Sequence, residues 1–239
     1  MTNSPNTDPF DPSQTKRVVT LIDRFVWAWP GGGHVFEDRL YALLKKRDSD
    51  SDLIDFFVSR LPVYAHANQS PAAAHYLIRL VEDLADPRLL DVILPYLHHP
   101  RPTTRYKTVM ALSKFTLTPT RLAELLEPLL ADRYLNVRGA AIQVLGQSTD
   151  PAVLRMVLQN VLPSTNHREL EILENILRQT GRTNPKLLGE VLIQVLQTEE
   201  TSEQGLTICL QVLYDLGVRR DILVCLQPFL RSLLYTTSS

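Results

Sequence analysis

The chain is short of most features that announce a chemistry. It has two cysteines, Cys209 and Cys225, and both sit inside apolar periodic segments. A small buried thiol is the ordinary role there, and such scarcity suits a reducing compartment rather than a disulfide framework. Net charge is missing too, with 25 Lys+Arg against 26 Asp+Glu. That removes the global attraction expected of a nucleic-acid binder or of a protein drawn to an anionic membrane, and leaves only local patches. No apolar run approaches the ~20 residues that span a bilayer. The start, MTNSPNTDPFDPSQTKR, lacks the apolar core of a secretory signal. A cytoplasmic protein without a membrane is the expectation.

Catalytic and metal-binding patterns are equally scarce. The six histidines form no HxxxH, HExxH or Cys-His spacing. His98-His99 lies between Pro95 and Pro100, while His66 and His75 flank another turn, so these read as solvated turn residues. No Ser/His/Asp arrangement or paired acids stand in a recognisable setting. No metal, no cofactor and no catalytic residue is therefore assigned. The stretch WAWPGGGHVFEDRL, residues 27–40, is the strongest competitor, because glycine amides at a helix start can cradle a phosphate. Phosphate loops of known mechanism also need a lysine and a Ser/Thr after the glycines, or a strand before them, and neither is present. The stretch reads as a helix corner: Trp27 and Trp29 end a helix, Pro30 stops it, and the glycines make the turn.

Alternating, β-branched stretches are rare, whereas leucine recurs at three- and four-residue spacing almost to the end. That pattern is all-α, and it repeats. Prolines at 87, 119, 151 and 185 stand 32, 32 and 34 residues apart, each opening an apolar helix such as PTRLAELLEPLL or PAVLRMVLQNVL. Asp86, Thr118, Asp150 and Asn184 precede them as helix caps, with proline at the first helical position. After a polar turn comes a second helix in every unit. Its leucines 112, 145, 177 and 213 make one apolar column, and Ala111, Val144, Ile176 and Val212 make the next. An apolar stripe this wide needs a neighbouring unit to cover it, so the units are expected to stack.

These units resemble HEAT repeats, most closely in DRYLNVRGAAIQVLGQSTDPAVL, residues 132–154, with Asp132, Val137-Arg138, Ala140-Ala141 and Leu145-Gly146. The resemblance covers roughly residues 52–230 and implies a right-handed α-solenoid of stacked antiparallel helix pairs. It also implies a ladder in which Asp132 and Arg138 bond between neighbouring units. Arg105 matches the arginine column, whereas Leu170 and Leu206 do not, so the later units are expected to rely on apolar packing. The organisation expected is a disordered tail over 1–12 and a single solenoid over 13–239. Within it, 13–51 is a capping helix pair, 52–218 holds five helix-pair repeats, and 219–239 is a last capping helix.

Cations concentrate where the central second helices begin, whereas TEETSEQ, residues 198–204, is acidic. In solenoids of this type the second helices line the concave face. Arg101, Arg105, Lys107, Arg133, Tyr134 and Arg138 are the candidate partner-binding residues, offering guanidinium forks and an aromatic to a protein with an acidic segment. The competing reading is that Arg105 and Arg138 are consumed inside the ladder. A non-enzymatic interaction scaffold is the leading function. The resemblance leaves two enzymatic alternatives open, glycosylases for alkylated DNA bases and phycobilin lyases, and also a nucleic-acid-binding solenoid. The neutral charge weighs against nucleic acid, and no bilin-specific motif is present.

Overall fold

The computed structural model describes residues 84–198 and 201–217, together with Ile54, Asp55, Val58, Ile78, Arg79, Val81 and Glu82. The Trp27–His34 corner, the expected tail and capping elements, His66, His75 and Cys225 lie outside the described residues. Among the described residues there is no strand, and no helix is long and apolar enough to cross a membrane. They divide into two compact units, one reaching Thr116 and the other starting at Leu117.

In the first unit, the Asp86 carboxylate accepts the backbone N–H of Arg88 and caps a 3-10 turn, Pro87–Leu89. Helix α1, Leu90–Ile93, follows, then a second 3-10 turn, Leu94–His98, and helix α2, Pro102–Leu112. The sequence suggests one continuous helix before the turn, but Pro95 has no N–H to give and the chain tightens into 3-10 geometry there. Leu89, Ile93, Tyr96, Val109, Ala111 and Leu112 are fully buried and make the core of this repeat with Ile78 and Val81. Just before the cap, Ala85 takes a left-handed conformation, φ 45°, which an alanine adopts only under strain.

The described residues of the second unit form three successive helix pairs. They are α3, Pro119–Leu126, with α4, Leu135–Leu145; α5, Pro151–Val161, with α6, His167–Thr183; and α7, Pro185–Thr198, with α8, Glu203–Asp215. Pro128 repeats the effect of Pro95, so α3 finishes as the 3-10 turn Glu127–Ala131. First helices pack on first helices, α3 on α5 and α5 on α7, while α4, α6 and α8 form a second layer. The expected caps are in place: Thr118 Oγ1 accepts from Arg121 N at 3.2 Å, Asp150 Oδ1 from Ala152 N at 2.8 Å, and Asn184 Oδ1 from Leu187 N at 3.4 Å. Both apolar columns are buried in all four repeats, from 0 % exposure at Leu112, Leu177 and Leu213 to 8 % at Val144. Cys209 is buried among them.

Stacking is tightest where backbone meets backbone. Ser202 donates to the Leu162 carbonyl through both its N–H, at 2.9 Å, and its hydroxyl, at 2.8 Å. That draws the start of α8 onto the end of α5. A Cβ at Gly205 would stand 2.6 Å from the same carbonyl oxygen, so only glycine fits.

Candidate partner-binding edge

Three of the second helices, α2, α4 and α6, start from turns built on one plan. In the first unit His99 Nδ1 accepts the backbone N–H of Arg101 at 3.1 Å. In the second unit Asp132 Oδ1 accepts from Tyr134 N at 2.8 Å, and Ser164 Oγ from Asn166 N at 3.1 Å. Three different acceptors thus close the same two-residue loop, as Asx-type turns do. The arginine column adds a clamp. Arg105 Nη1 donates to the carbonyls of His99, 2.7 Å, and Pro100, 3.2 Å. Arg138 Nη1 does the same for Asp132, 2.7 Å, and Arg133, 3.2 Å. Repeated distances on repeated partners mark a structural device belonging to the repeat.

Arg138 goes further. Its Nε donates to the carboxylate of Glu169 at the start of α6, whose side chain is 8 % exposed. Ser164 Oγ donates to the other Glu169 oxygen at 2.6 Å. The rung between these repeats is therefore Arg138 to Glu169. Arg138 meets Asp132 through its backbone carbonyl, while the Asp132 carboxylate serves the turn. The later repeats do pack through buried apolar side chains, as expected, and this rung adds a polar tie to the first of them. Leu170 takes the arginine's place in its own repeat, but Glu169, one position earlier, answers the arginine of the repeat before. Arg178 makes a further rung, donating to Glu174 on its own helix and to Asp215 of α8 at 2.8 Å. Both sides of that pair are well exposed, so its contribution is modest.

The remaining sequence candidates face solvent to different degrees. Arg101 is exposed and caps α2 by backbone alone, and Lys107 is half-buried with its ammonium 5.8 Å from the Tyr106 ring centroid. In the second unit Arg133 is exposed and its guanidinium lies 5.9 Å from the Tyr134 ring centroid, within cation–π range. Tyr134 is 44 % exposed, one of the few large apolar side chains so presented among the described residues. The guanidiniums of Arg105 and Arg138 hold the turns, while Arg101, Arg133 and Tyr134 project from them. The histidine pair also divides: His98 is exposed as expected, but His99 is only 7 % exposed, against the solvated position expected for it. Its ring is needed as the turn acceptor, which takes it inward.

Other chemistry is sparse. Among the described residues no group of three or more His, Cys, Asp or Glu side chains is placed to hold a metal. A shallow cleft of about 260 Å³ opens beside α6 and α8, floored by Leu177, Val212 and Leu216, with the Arg178–Asp215 pair on its rim.

Stacked helix pairs, each first helix opened by a capped proline, define an α-helical repeat protein. Residues 61–146 match the family model described as HEAT repeats. No curated protein matches the chain.

Proposed function

We propose that this chain is a non-enzymatic scaffold of the cytoplasm that holds a protein partner by the face of its second helices. HEAT repeats generally mediate contacts between proteins, and stacked repeats present extended surfaces for them. The observation that carries the reading is the Arg133–Tyr134 pair. An exposed guanidinium lies beside a half-exposed aromatic, on a turn held by the Asp132 carboxylate and the Arg138 clamp. Such a side-chain pair offers a planar cationic fork and a large amphipathic ring, the types enriched at binding hot spots. Because the turn beneath is already fixed, little ordering cost falls on binding. Arg101 holds the place of Tyr134 in the first unit, as N-cap of α2. A partner segment rich in Asp or Glu is the complementary chemistry.

The test uses the full chain as bait in extract of its own source cells, with stoichiometric partners identified by mass spectrometry. The recovered partner is then titrated against Arg101→Glu and Arg133→Glu, singly and together, at two salt concentrations. The double variant should lose about tenfold or more in affinity and much of the salt dependence, with its helical signal unchanged. Unaltered affinity would place the partner elsewhere, and recovery of only nucleic acid or a chromophore would replace the scaffold reading.

A further inference from the structure

His99 does with an imidazole what Asp132 and Ser164 do with oxygens in the following repeats, accepting the backbone N–H two residues ahead. The three acceptors differ in one respect. A hydroxyl does not titrate, a carboxylate protonates near pH 4, and an imidazole takes up a proton within the weakly acidic range. A ring that accepts at Nδ1 must be neutral with its proton on Nε2. It is 7 % exposed and stacks on Tyr96, 6.0 Å between centroids and 15° between planes. Among the described residues, the charged groups that act on it are the cations Arg101, at the cap of α2, and Arg105 within it, the latter bonded to the His99 carbonyl. The 3-10 turn Leu94–His98 contributes Tyr96, and His98 is exposed.

We infer that the His99–Arg101 turn is an acid-sensitive latch on the start of α2. Proton uptake from solvent onto Nδ1 replaces a lone pair with an N–H, which then points at the Arg101 N–H. The hydrogen bond breaks, and a buried imidazolium is left beside two guanidiniums. Relief comes from opening the turn, which releases the cap of α2 and the setting of Arg101. Burial of the ring, followed by the Arg101 charge, holds the His99 pKa below its usual 6.5. The sign follows: an unfolded or opened turn binds the proton at the ordinary pKa, whereas the closed turn resists it. The stabilisation is complete above about 6.5 and is lost as pH falls through the lower, folded value. The equivalent turn at Ser164, closed by a hydroxyl, has no proton of this kind to take up. This inference is independent of any partner.

Two measurements on the full chain decide it. In the unmodified protein, the His99 ring proton resonance, assigned by its absence in His99→Asn, should titrate below 6.5. The Arg101 amide should lose hydrogen-exchange protection by up to about tenfold per pH unit between the two pKa values. In His99→Asn, whose side-chain oxygen accepts the same N–H without titrating, that loss should vanish and the thermal midpoint should fall less between pH 7.5 and 5.5. A His99 pKa at or above 6.5 overturns the latch, and so does Arg101 protection that is unchanged through the window. If His99→Asn does not fold, the titration and exchange of the unmodified chain, with assignment by isotope labelling, still decide the matter.

Discussion

Glu169→Ala is the sharpest perturbation of the stack. The carboxylate is nearly buried and takes hydrogen bonds from Arg138 Nε and from Ser164 Oγ, so truncation orphans two donors at once. Removing one partner of a fully buried pair costs about 3–5 kcal/mol. Arg138 is 22 % exposed and keeps two backbone carbonyls, so the cost here should be lower, about 2–3 kcal/mol. For a chain of this length that is a thermal midpoint about 4–12 °C lower. Urea unfolding followed by far-ultraviolet circular dichroism should show the midpoint shift with little change in slope. The double variant Arg138→Met with Glu169→Leu should cost less than the sum of the two single losses, because it removes both charges together while also losing the Arg138 clamp on its turn. A Glu169→Ala midpoint like that of the unmodified chain would refute the rung. So would a double variant showing the full sum of the two single losses.

Other substitutions test neighbouring features. Ala141→Leu, at a position of 0 % exposure, should cost about 1–3 kcal/mol by overpacking, read as a lower thermal midpoint; an unchanged midpoint would mean the repeat register is wrong. Gly205→Ala should destabilise by a similar order, because the new methyl meets the Leu162 carbonyl oxygen, and a neutral result would show that α8 can slide away. Asp150→Ala should cost about 1 kcal/mol in urea by uncapping α5. Ala85→Gly should raise stability by up to about 1 kcal/mol by relieving its left-handed backbone, and a loss instead would mean that the methyl has a packing role.

What could be read from the chain alone was what repeats locally. A cap residue followed by proline declares a helix start within two positions, and the buried columns led by Leu112 and Leu145 follow from helical period alone. The breaks at Pro95 and Pro128 were present in the same letters. They were absorbed into an apolar run whose period survives the change to 3-10 geometry. Glu169 was out of reach for a different reason. It pairs with Arg138 across 31 positions, and an acid in the first turn of a helix has a sufficient local explanation in the helix dipole. Setting His99, Asp132 and Ser164 in one column would have exposed the shared turn. The proline beside His99 pointed instead to solvent.

Hydrogen–deuterium exchange on the full chain, alone and saturated with its recovered partner, tests the scaffold account most directly. The account predicts new protection in peptides covering Arg133 and Tyr134, weakened by Arg133→Glu in proportion to lost affinity, while the buried Arg138–Glu169 rung stays equally protected in both states. Protection confined to other segments, with Arg133 and Tyr134 exchanging as freely as before, would contradict it.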